Sequence, residues 1–263
     1  MYYAIMYTKA ELKKHILSLK FFKNFINSKP ELFSPYKFQN KIINVLDSKE
    51  NLLINSARQM GVSTMLRYFM IFKCLKHNNY KIIYITHDKM CQQIFLDFLR
   101  NLAHSYCEEA IDFATDTSTS ISFKNGSNIK VINAQVSAGK AERLDLIIFD
   151  NAAFIKGFES IYLSSLMVSE RLIICSSPFK NSFFNKLYSV KKSFFKKIKL
   201  PWHIHDINGA NKIINPHYDL KNGDASKYTN KYYVKMSLLL HGLEHINEEF
   251  NCVIVNSKKN KTP

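Results

Sequence analysis

The chain has 263 residues, a formal charge of +16, 46% hydrophobic and 22% charged residues, seven Gly and six Pro. These fractions lie near globular averages and exclude an extended disordered chain, and no apolar run reaches the ~18 residues of a membrane span. One large α/β domain fits the length. The charge calls for a polyanionic partner, nucleic acid before membrane, because no basic amphipathic anchor or lipidation signal accompanies it. Abundant Lys, Asn and Ile are also what an AT-rich genome produces. The five cysteines, Cys74, Cys91, Cys107, Cys175 and Cys252, are odd in number and widely spaced. That pattern suits a reduced cytosol and forms neither a disulfide framework nor a structural zinc site.

Apolar residues at Leu12, Ile16, Leu19, Phe22, Phe25 and Ile26 predict a packing helix over Glu11–Ser28, stopped by Lys29-Pro30. A second helical pattern covers Phe38–Leu46 and leads into a strand at Asn51–Asn55. After a polar loop, Met65–Cys74 reads as an apolar helix, Tyr80–Thr86 as a strand of β-branched and aromatic type, and Asp88–Ala103 as a helix. Ile121–Phe123 and Asn128–Ile132 flank an Asn125-Gly126 turn, a hairpin signal. Leu144–Phe149, closed by Asp150, and Arg171–Cys175, closed by Ser176-Ser177-Pro178, are continuous apolar runs of the kind buried on both faces. Strands alternating with helices predict a mostly parallel sheet with its ligand at the carboxyl ends of the strands. Residues 179–263 hold 15 Lys, no Arg and six acidic residues, a surplus of nine. The aromatics among them (Phe183, Phe184, Tyr188, Phe194, Phe195, Tyr228, Tyr232, Tyr233) read mainly as core positions under a solvated lysine face. Trp202, His203, His205, Asp206 and His217 alternate as a strand with one wet face would, and lack the cysteine or carboxylate cluster of a metal site.

The loop Asn55–Thr64 (NSARQMGVST) sits between a strand and a helix, where backbone N–H groups and the helix N-terminus converge on an anion. Against the GxxxxGK[ST] pattern, Ser56 stands at the first glycine, Gly61 fits, Val62 replaces the lysine and Ser63 supplies the metal-facing hydroxyl. The match is weak alone. A nucleotide-hydrolysing P-loop protein also needs a strand ending in a carboxylate that holds magnesium, and Leu146–Asp150 (LIIFD) supplies one. The fold expected is therefore a P-loop NTPase: a mostly parallel sheet flanked by helices, with a small basic C-terminal helical extension.

Taken together, SARQMGVST, FDNAAFI and ICSSP, in that order, resemble the large terminase subunits of tailed bacteriophages, the motors that package the viral genome. The resemblance spans about Phe21–Val255 and includes FSPYKFQ, FKNGSNIKV and the closing YYVKMSLLLHGLEHINEEFNCVIV. It implies ATP and Mg²⁺ as cofactors, with Phe38 and Gln39 contacting adenine and Ser56, Ala57, Arg58, Gln59, Met60, Gly61, Val62, Ser63 and Thr64 forming the phosphate loop. Arg58 takes the role of the missing lysine, Ser63 and Asp150 hold the metal, and Ser176 and Ser177 couple the γ-phosphate to DNA gripping. Lys140 or Arg143 stands where the family places a residue that reaches a phosphate in trans.

Asn151 occupies the position of the family's catalytic Glu, and a neutral amide orients a water without accepting its proton. Slow hydrolysis, or substitution by Glu142, Asp145 or Glu159, is the expectation. The domain division expected is an N-terminal helical segment to residue 30, a core over 31–200, a basic C-terminal part over 201–256 and a disordered tail from 257. The family's nuclease domain has no counterpart, so a separate nuclease subunit would have to supply cleavage. The implied partners are double-stranded DNA, the portal protein and the small terminase subunit, around a homo-oligomeric ring in the cytoplasm of the infected cell, with no membrane. The alternatives are a hydrolysis-deficient paralogue that binds nucleotide and DNA, or a helicase-like ATPase of another nucleic-acid process.

Overall fold

A computed structural model describes residues 22–27, 34–107, 117–133, 143–205 and 241–254 apart from 243 and 246. The elements in order are α1 (Phe22–Asn27), a 3₁₀ turn (Lys37–Gln39) running into α2 (Asn40–Leu46), β1 (Asn51–Ser56), α3 (Val62–Lys76), β2 (Lys81–Thr86) and α4 (Lys89–Cys107). They continue with β3 (Ser120–Ser122), β4 (Asn128–Asn133), β5 (Leu146–Asp150), α5 (Phe158–Val168), β6 (Leu172–Ser176), α6 (Phe183–Ser189) and β7 (Phe195–Leu200). The seven strands form one sheet in the order β3-β4-β2-β5-β6-β1-β7, parallel except for β3, which pairs antiparallel with β4 across the Asn-Gly turn.

Alternation explains why the central strands are apolar throughout. Leu52 and Ile54 of β1, Leu146 and Ile148 of β5, and Ile173 and Cys175 of β6 enter a core packed by α1–α4. Their neighbours Leu53, Ile147, Phe149, Leu172 and Ile174 enter a second core packed by α5 and α6. The period of two places Asp150 on the side of Leu146 and Ile148, the face that α3 covers. A charged residue thus emerges from a buried strand directly below the first turn of the helix that follows the loop.

Two polar devices tie helices to the sheet. Arg171 is buried and donates to the carbonyls of Leu46 and Glu50, both at 3.0 Å, closing the end of α2; burial pushes its guanidinium down to about 10. Asn125 and Ser127 of the hairpin donate to the carbonyls of Cys74 and His77 at 2.7 Å each, satisfying the exposed end of α3. Gly126 is at φ 82°, and a Cβ there would lie 2.0 Å from the Asn79 side chain.

The lysine-rich third departs from its expected pattern. FKKIKL forms β7, an edge strand parallel to β1, its lysines hiding a strand whose two ends are buried. Residues 202–204 form a 3₁₀ turn, not a wet strand: Trp202 is fully buried against Phe250, and His205 packs on Tyr36 and Phe38. Phe183, Phe184, Tyr188 and Phe195 belong to the second core as expected, whereas Phe194 is exposed. Asp206, His217, Tyr228, Tyr232, Tyr233 and most of the basic C-terminal extension lie outside the described residues, as do residues 1–21 and 255–263. Among the described residues, no helix is long and apolar enough to cross a membrane.

Candidate functional site

The loop between β1 and α3 owes its shape to backbone conformations that few residues adopt. Gln59 is at φ 60° and Gly61 at φ 71°, the latter serving as N-cap of α3. A Cβ on Gly61 would meet the Gln39 amide nitrogen at 2.5 Å. Gln39 is itself buried behind the loop, donating to the Met60 carbonyl at 3.1 Å and accepting from the Tyr36 N–H at 2.9 Å. Both ends of its amide are engaged in bracing the loop, and Phe38 is buried against Tyr36 and His205. Val62, at the lysine position of the pattern, packs into the main core.

A cavity of about 570 Å³ opens above the loop, lined by residues 56–64, by Asp150, Asn151 and Phe154 after β5, by Cys175, Ser176 and Ser177 at the end of β6, and by His87 after β2. β6 lies between β1 and β5, so its serines stand between the loop and the acidic strand end. The Ser63 hydroxyl donates to Asp150 Oδ2 at 2.7 Å. The same carboxylate accepts from the Tyr84 hydroxyl on Oδ2, and from Cys175 Sγ and the Asn151 N–H on Oδ1, each at 3.0 Å. Burial, and the charge of Asp150 next, push the Tyr84 phenol and the Cys175 thiol well above their ordinary values, so both remain protonated donors. Four donors on one buried carboxylate fix its direction.

Arg58 is placed differently from its neighbours. Its guanidinium pairs with Glu249, through Nε to Oε2 and through Nη2 to Oε1 at 3.4 Å, and its N–H donates to the Glu249 carbonyl at 3.3 Å. The Arg58 side chain is 62% exposed and that of Glu249 only 5%. Glu249 also accepts from the Ser177 hydroxyl at 3.5 Å, so one C-terminal carboxylate touches both the loop and the end of β6. Ser176 accepts from the Ala153 N–H at 3.1 Å, bridging β6 to the segment after Asp150.

The carboxylates expected to replace a catalytic Glu are not brought here. Asp145 lies at the opposite end of β5, accepting from the Lys81 N–H at 2.7 Å, and Glu159 is exposed in the first turn of α5. Glu142 and Lys140 lie outside the described residues. Arg143 pairs with Glu170 at 2.7 Å beside Met167–Ser169, away from the cavity. Four residues around the site escape sequence reasoning: Tyr84, His87, Cys175 and Glu249. The first three sit at strand ends whose register only the sheet defines, and Glu249 is brought in by a chain return of 191 residues.

No family model matches the chain, and no curated protein matches it by sequence. Solved structures do. The large terminase ATPase domain of Thermus phage P74-26 superposes with a TM-score of 0.64 at 14% identity, over 88% of this chain and 98% of that one. A complete large terminase from another thermophilic bacteriophage superposes with a TM-score of 0.53 at 10% identity, over 93% of this chain and 53% of that one. The fold is that of a P-loop NTPase, in the arrangement of the terminase ATPase domains.

Proposed function

We propose that the chain binds ATP with magnesium and forms the ATPase part of a phage DNA-packaging motor of the large terminase kind. The observation that carries the reading is the Ser63–Asp150 contact of 2.7 Å at the floor of a cavity bounded by the phosphate loop. A hydroxyl and a carboxylate from two elements, converging beside a helix N-terminus, are the protein's share of a magnesium–triphosphate site.

The donor set fits magnesium: hard oxygens only, few in number, leaving the remaining positions to water and phosphate. Ser63 and Asp150 would hold the ion, which when bound neutralises charge on the β- and γ-phosphate oxygens. The loop backbone and the first turn of α3 receive the phosphates, Arg58 adds a planar cation once it leaves Glu249, and Ser176 and Ser177 stand where the γ-phosphate can be sensed. A charge of +16 supplies affinity for the DNA backbone, and the terminase fold places the chain in a ring on the portal, with small-subunit and nuclease partners.

A second reading, a nucleotide-binding paralogue without turnover, is favoured by Asn151 and by the engagement of Arg58 with Glu249. Titration with a fluorescent ATP analogue tests the shared premise. Binding should require Mg²⁺ and weaken at least about tenfold in Asp150→Ala, given the ~1.4 kcal/mol behind each decade. Binding indifferent to both metal and substitution would remove the nucleotide site.

A further inference from the structure

If the cavity is an ATPase site, Asn151 leaves it without a proton acceptor at the usual place, and the structure offers another. β2 runs beside β5 with Ile85 opposite Phe149, so two positions further on His87 stands level with Asn151. His87 lines the same cavity as Ser63, Asp150 and Asn151. It is also the imidazole of a built pair: Nε2 lies 2.7 Å from Asp88 Oδ2.

We propose that His87, oriented by Asp88, accepts the proton of the attacking water in place of a carboxylate at position 151. Asp88 is anchored for this task, because its other oxygen accepts from the Cys91 N–H at 2.7 Å at the start of α4. That backbone hydrogen bond, chiefly, holds its carboxyl below the ordinary value, so the carboxylate stays charged. A charged carboxylate at Nε2 keeps the ring proton on that nitrogen and leaves the lone pair on Nδ1, the logic by which a carboxylate orients a catalytic imidazole. Nδ1 is shut off from solvent and has no hydrogen-bond partner. A ring nitrogen so placed costs about 1–3 kcal/mol, and a water held against the phosphates supplies the missing partner. Among the described residues, the other charged or titratable groups around the ring are Cys91, whose Sγ is 3.9 Å from Nε2, and Asp150 and Arg58, which share the cavity. Burial, with Asp88 next, pushes the Cys91 thiol up to about 11, so it stays neutral beside the pair.

In the step itself, the water oxygen bonds to the γ-phosphorus while the bond from that phosphorus to the β–γ bridging oxygen breaks. ADP departs with that electron pair, and the water proton passes to Nδ1 and then to solvent. His87 is the catalytic residue and Asp88 a positioning residue.

The proposal rests on the ATPase reading, so hydrolysis and binding are measured together. ATP turnover with magnesium and double-stranded DNA is followed from pH 5 to 9 for the full chain, His87→Gln and Asp88→Asn, alongside affinity for the fluorescent ATP analogue. The chain should show an acid limb, since imidazole changes charge between about pH 5 and 8. His87→Gln should lower turnover by about 10²- to 10⁴-fold and abolish that limb, with nucleotide affinity kept within about twofold. Asp88→Asn retains an acceptor for the Cys91 N–H, and should lower turnover less and move the limb to lower pH. Wild-type turnover in His87→Gln, or nucleotide bound without any turnover in the parent chain, overturns the assignment and leaves the nucleotide site standing. Absence of nucleotide binding overturns both.

Discussion

Residue 151 is at φ 55° and ψ 41°, in the left-handed region, directly after the carboxylate that faces the loop. Asparagine visits that region readily, while other non-glycine residues pay about 1–2 kcal/mol. The position therefore suits the residue it has and opposes a glutamate. The two effects of Asn151→Glu run against each other: a carboxylate acceptor is worth about 10²–10⁴ in rate, the backbone cost about a factor of ten in stability. The chemical gain is larger, so the variant should hydrolyse ATP at least about tenfold faster in single-turnover assays while melting earlier. Unchanged turnover would show that this position does not limit the reaction. The identities of Ser63, Asp150 and Gly61 were legible in the sequence because strand, loop and helix dictate them locally. The partners of Asp150 were not, because Tyr84 and Cys175 meet it only through the register of three parallel strands.

The loop and the returning C-terminal segment form the next unit of behaviour. Asn55 donates to the Cys252 carbonyl at 3.1 Å and Trp202 to the Phe250 carbonyl at 2.8 Å, so residues 247–254 are held against the base of the loop. Glu249 competes with phosphate for Arg58, which makes nucleotide binding and the seating of this segment opposed processes. An ion pair with one exposed partner contributes about 0.2–1 kcal/mol, so Glu249→Gln should raise ATP affinity by about two- to fivefold. Lower affinity in that variant would mean that the carboxylate supports the site. The neighbouring Glu248 is buried, and one of its oxygens has no partner. Burial first, then Glu244 and Glu249, push its carboxyl above the ordinary 4.5. A group whose folded value is raised contributes its stability at low pH and loses it as pH climbs through that value. Glu248→Gln should therefore raise Tm at pH 7.5, by about 2–4 °C for each kcal/mol recovered, with the gain vanishing near pH 4. An equal gain at both pH values would exclude titration as the cause.

The sheet as a whole was legible because alternating strand and helix patterns leave few ways to bury both faces of LLI, LIIF and LIIC. Its edge was not: β7 carries four buried or half-buried positions among lysines, so its hydrophobic signal is weak, and only the pairing with β1 identifies it. The same lysines give the molecule its polyanion-binding character, and the P-loop gives it an energy source at the carboxyl ends of the strands. A packaging motor must join the two. The direct test is steady-state ATP hydrolysis with magnesium as double-stranded DNA is titrated in at two salt concentrations. A motor should show turnover that rises with DNA, loses its stimulation as salt increases, and disappears in Asp150→Asn. Hydrolysis that is unaffected by DNA, or that survives in Asp150→Asn, would contradict it.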